Sequence, residues 1–66
     1  MESVPMIQVS GKVAFYPGTI TVYNVNGQTV ASGKDAVSLQ HLSRGIFIVQ
    51  GRSGNHVQTI KVAIGS

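Results

Sequence analysis

Few residues in this chain could do chemistry. His41 and His56 are the two imidazoles, and Glu2 and Asp35 are the two carboxylates. A structural zinc site takes four ligands, and a catalytic one takes three with an open position. Glu2 sits in a loose lead-in, so Asp35 and the histidines fall short of a site. Both histidines are read as turn-adjacent and solvent-facing. Ser38 or Ser43 with His41 and Asp35 could be strung into a Ser-His-Asp set. These residues share one short connection, with no nucleophile elbow and no glycine pair to form an oxyanion hole. Gly27, Gly45 and Gly54 stand alone at turn positions and open no helix, so they cradle no phosphate. Tyr16 and Tyr23 could stack a sugar or a base, but without a basic stripe they read as plain strand residues. There is no cysteine, hence no thiolate and no disulfide. The residues therefore point away from an enzyme and assign no catalytic group, metal or cofactor.

The chain has 66 residues, enough for one domain. So short a chain buries only about 60% of the surface its unfolded form exposes, which leaves little room for a water-excluding cleft. Lys12, Lys34, Arg44, Arg52 and Lys61 against two acids give a net charge of +3. The cations are scattered singly beside turns, unlike the concentrated stripe of a nucleic-acid binder. No apolar run reaches the ~18 residues a membrane span requires. The start, MESVPMIQV, has no basic region followed by a long apolar one, so it is not a signal peptide. Two expectations remain: a cytoplasmic protein, or a piece of a larger exported chain whose ends, Met1 and Gly65-Ser66, come from a vector. Residues 1–5 are read as a disordered or vector-supplied lead-in, 6–64 as the domain and 65–66 as a tail.

The elements that must position any function are strands. Eight glycines and two prolines punctuate the chain, and no stripe of helical period persists over three turns. The stretches between are dense in Val, Ile, Thr, Phe and Tyr. About seven short strands are expected, near 6–9, 12–16, 19–24, 28–32, 36–39, 46–50 and 56–64. Ser10-Gly11 suits a two-residue hairpin turn, and Pro17-Gly18 a type II turn. The stretch ITVYNVNGQTV allows two registers. A type I′ turn at Asn26-Gly27 pairs Val22 with Ala31. A type I turn over Asn24–Gly27 with a bulge at Gly27 pairs Val22 with Val30. The second is favoured, because Asn first and Gly fourth suit that turn.

Residues 38–45 read as a connection with one helical turn, Leu39 and Leu42 pointing inward and Gly45 leaving it through the left-handed helical region. The strand after it, Ile46 to Val49, is apolar on both faces and is expected to lie centrally and covered on both sides. The last strand alternates, with Ile60, Val62 and Ile64 inward and Thr59, Lys61 and Ala63 outward. Lys61 there is a solvated edge charge that discourages strand addition. The expected fold is all-β: a small antiparallel immunoglobulin-like β-sandwich, with a small barrel as its competitor. Its exposed edges allow a homodimer.

Three stretches taken in order carry a resemblance. They are Val22-Tyr23-Asn24-Val25-Asn26-Gly27-Gln28 with Val30, then Leu42-Ser43-Arg44-Gly45-Ile46-Phe47-Ile48-Val49, then Lys61-Val62-Ala63-Ile64. From about Ile7 onward the chain resembles the C-terminal sorting domain of the type IX secretion system of Bacteroidetes, and VSGKVAF resembles the early strand pair of the gingipain-type members. Gln28 stands where that family usually has Arg or Lys, and Phe47 where Tyr is commonest. The usual basic final residue and the Tyr-Pro-Asn-Pro motif are absent.

The resemblance implies a non-catalytic address label. Its motif residues would be Tyr23, Asn24, Gly27, Leu42, Gly45, Phe47, Lys61 and Val62. Its partners would be the outer-membrane export machinery and a sortase-like peptidase. The parent protein would pass through the periplasm to the outer-membrane surface or the medium. The alternative is an immunoglobulin-like spacer or a carbohydrate-binding module of a surface protein, with Tyr16 or Tyr23 as the stacking group.

Overall fold

The computed structural model describes residues 5–65. Of the lead-in expected over 1–5, all but the half-buried Pro5 lies outside the described residues, as does Ser66 of the expected tail. The fold is all-β and antiparallel, with five strands among the described residues. These are β1 (Gln8–Ser10), β2 (Val13–Tyr23), β3 (Thr29–Ser38), β4 (Gly45–Ser53) and β5 (His56–Ile64).

The expected seven strands become five because two expected breaks do not break. The segments near 12–16 and 19–24 are one strand, β2, and those near 28–32 and 36–39 are one strand, β3. Pro17-Gly18 forms no hairpin. Instead Phe15 pairs with Ala36 and Thr19 with Lys34, so Tyr16, Pro17 and Gly18 face the single residue Asp35. Proline is tolerated there because a bulge leaves residues unpaired. Asp35 supplies the complementary kink, with a positive φ of 70°.

This joint divides β2 into two pairing segments. Val13–Phe15 pairs with β1 on one side and the end of β3 on the other. Thr19–Tyr23 pairs with β4 on the first side and the start of β3 on the second. β5 then pairs with β4 over its whole length. All five strands thus share one hydrogen-bonded sheet, bulged at the joint, in place of the two facing sheets of an immunoglobulin-like sandwich.

The core draws on both segments. Ala14 comes from the first, Tyr16 from the joint itself and Ile20 and Val22 from the second, with Val37 from the end of β3, Leu39 just after it, and Phe47 and Val49 from β4. Ile60, Val62 and Ile64 of β5 pack against it as expected. Tyr16, expected to be an exposed strand residue, is 2% exposed. β4 is central, but one of its faces is uncovered: Phe47 and Val49 are buried while Ile46 is 42% exposed and Ile48 half-buried. An antiparallel sheet can leave one face to water, and apolar residues there need no cover.

Two ties hold the start of the chain to the rest. The backbone N–H of Ile7 donates to the Gln58 side chain on β5, and that of Leu39 donates to the Lys12 carbonyl at 2.6 Å. The first hairpin turns at Gly11-Lys12, since Ser10 itself pairs with Val13.

Candidate functional site

The β2–β3 turn is built by Asn24. Its side-chain Oδ1 accepts from the backbone N–H groups of Asn26 at 2.9 Å and Gln28 at 3.0 Å. Its Nδ2 donates to the Gln28 Oε1 at 3.0 Å, so the amide at position 28 closes the turn from the other side. Gly27 N–H donates to the Asn24 carbonyl at 3.0 Å, and Gly27 has φ 85°, a conformation that costs other residues strain. This is the favoured turn with its bulge at Gly27. The expected pairing of Val22 with Val30 is displaced, however. Val22 pairs with Ala31 and Tyr23 with Thr29, because a second irregularity falls at Val30. Val30 and Ala31 both pack against the core as a result.

The β3–β4 connection faces this turn. Leu42 N–H donates to the Leu39 carbonyl at 3.2 Å, which makes a single hydrogen-bonded turn and no helix. Leu39 is buried and Leu42 half-buried, so both serve as inward anchors. Gly45 leaves the connection with φ 152°, a largely glycine-only conformation outside the left-handed helical region.

Between turn and connection lies a groove of about 470 Å³. The buried Phe47 and the half-buried Leu42 and Val30 line its deeper part. Val25, 70% exposed, and the exposed Ile46 flank it. Arg44 supplies its charge, His41 adds an imidazole, and among the described residues no carboxylate lines it. A smaller depression shares Leu42 and Arg44 with it and adds Lys12, Ile64 and Gly65, where β5 ends.

The eight expected site residues fall at this one end of the sheet. Asn24, Leu42, Gly45 and Phe47 line the groove. Gly27 closes the facing turn. Val62 pairs with Phe47 across β5 and β4. Tyr23, Ile48 and Lys61 form one cross-strand row on the outer face. In that row the Tyr23 hydroxyl reaches the Gln50 Oε1 at 3.5 Å.

The family described as secretion system C-terminal sorting domain matches residues 2–65. The chain belongs to that family, the sorting domains of type IX secretion. No curated protein and no solved structure matches it.

In this sorting domain the residues that suggested other chemistry lie apart. His41 and His56 are exposed, and among the described residues no three of His, Asp and Glu come together. Asp35 stands at the β2–β3 joint beside Tyr16 and Pro17, away from His41. Tyr16 is buried and offers no face to a sugar. Sequence reasoning passed over Val25, Arg44 and Ile46 as groove residues. A signal for Val25 was available: an apolar residue in the middle of a type I turn has no core to enter.

Proposed function

We propose that this domain is a non-catalytic tag, read in its folded form by the outer-membrane export machinery of a Bacteroidetes cell and then removed by a sortase-like peptidase. The parent protein reaches the outer-membrane surface or the medium by way of the periplasm. The family membership supports the sorting role.

The observation that carries this reading is the gathering of the eight motif residues at one end of the sheet, where β5 also ends. Among the described residues β5 pairs with β4 alone, and its other edge presents unpaired backbone groups there. A carrier that adds a strand to that edge gains main-chain hydrogen bonds from β5 and side-chain selectivity from the adjoining groove. Lys61, outward on β5, keeps the edge from pairing with unrelated strands.

The test is export of a periplasm-targeted reporter fused ahead of this domain in a cell with a type IX system. The reporter is expected outside the cell with the intact domain. It is expected in the periplasm when residues 60–66 are deleted. Equal export with and without the domain would refute the sorting role, and export that survives loss of 60–66 would refute recognition through β5.

A further inference from the structure

We infer that the groove between the β2–β3 turn and the β3–β4 connection docks an acidic protein segment carrying an apolar anchor. The inference rests on the sorting reading only in taking that segment to belong to the export machinery.

Single exposed apolar residues are ordinary on a protein surface. Val25 and Ile46 are different because they flank the same 470 Å³ groove, above the ring of Phe47. Paired apolar walls over a buried aromatic suit one inserted side chain, with a polar rim around it. The charged rim among the described residues has one sign. Arg44 lines the groove, and Lys12 joins Arg44 in the depression next to it. Among the described residues no carboxylate lines either one. A complementary partner is therefore negative around its anchor, which speeds encounter and excludes basic competitors.

A second copy of this chain fits poorly. It has two carboxylates against five Lys and Arg, a net charge of +3, so two copies repel. A nucleic acid fits poorly as well, since Lys34, Arg52 and Lys61 do not line the groove and extend no stripe into it. Shared lining by Leu42 and Arg44 makes the groove continuous with the depression at the end of β5. One acidic segment can thus occupy the groove and continue toward the free edge of the last strand.

The experiment has two arms. In the first, the isotopically labelled domain is titrated with a short synthetic peptide of glutamates flanking Leu-Phe, and with the same peptide carrying lysines. Amide shifts centred on Val25, Arg44 and Ile46 are expected with the acidic peptide only. Arg44→Glu should weaken binding about tenfold while leaving the dispersed spectrum of a folded domain. Absent shifts, equal shifts with both peptides, or shifts centred on Lys34 and Arg52 overturn the inference. In the second arm, Val25→Asp with Arg44→Glu is placed in the exported reporter fusion. Loss of export with a folded domain is expected. Unchanged export by this variant, where deleting the whole domain stops export, overturns the groove and leaves the sorting role standing. If deleting the whole domain does not stop export, the sorting role fails and the titration still decides the groove.

Discussion

The ring of Tyr16 occupies the space that a side chain at Gly51 would take. A Cβ at Gly51 would stand 2.7 Å from two of its ring carbons. This contact joins the bulge of β2 to the central strand β4 and fills the core at the point where the sheet is jointed. Gly51 is therefore fixed by packing, since no positive φ is required of it.

Replacing Gly51 with Ala should cost about 2–3 kcal/mol, at the upper part of the range for overpacked cores. For a domain of this size that lowers the melting temperature by roughly 8–24 °C. A thermal melt followed by circular dichroism measures it. An unchanged midpoint would show that the ring moves aside freely.

The Tyr16 hydroxyl is buried and has no hydrogen-bond partner among the described residues. Removing a buried polar atom that makes no bond relieves its desolvation cost. Tyr16→Phe should match the parent domain or exceed its stability by up to about 1 kcal/mol in urea unfolding. A loss of more than about 1 kcal/mol would reveal that the hydroxyl has a partner after all.

Asn24→Ala removes the acceptor for two backbone N–H groups and should destabilise by about 1–2 kcal/mol. Asn24→Asp keeps that acceptor and loses the donor to Gln28. Asn24→Asp with Gln28→Arg restores a donor–acceptor pair in charged form, so it should return to within about 0.5 kcal/mol of the parent. Chemical denaturation of the three variants gives the order. If all three are equal, the side chain of residue 24 does not hold the turn.

The sequence disclosed the parts of the fold that are decided locally. The Asn24–Gly27 turn is one, because its hydrogen bonds run between residues at most four positions apart. The alternation of β5 is another, because one wet face writes itself into every second residue. The joint of β2 and β3 was hidden. Pro17-Gly18 has the local character of a turn, yet it lies in a bulge within one strand, where contacts with distant β4 gather: Tyr16 against Gly51 and Gly18 against the Arg52 backbone. The same non-local cause misled the reading of Tyr16, which carries no sign in its neighbours of being a core residue. On β4, Ile46 and Ile48 suggested a covered second face, yet apolar residues are allowed at an uncovered one. The site shows the same division. The expected motif residues could be named one by one from the sequence, but that they share one end of the sheet followed only from the strand pairing.

Lys61 points outward from β5, whose outer edge has no paired strand among the described residues. Lys61→Val should change stability by no more than about 0.5 kcal/mol. It should raise concentration-dependent self-association, because an edge charge that opposed strand addition is gone. Sedimentation velocity over a dilution series reads this directly, and identical profiles for both proteins would remove the gatekeeping role.

The central claim is that the export machinery reads the folded end of this sheet and not a string of motif residues. Gly51→Val tests it most directly, because it leaves Tyr23, Asn24, Gly27, Leu42, Gly45, Phe47, Lys61 and Val62 in place while placing a branched side chain against the Tyr16 ring. The measurement is the exported fraction of a reporter fused to this variant, with unfolding of the isolated variant verified by its spectrum. Retention of the reporter in the periplasm is the predicted result. Export at the level of the unaltered domain, with the variant unfolded, would contradict the account.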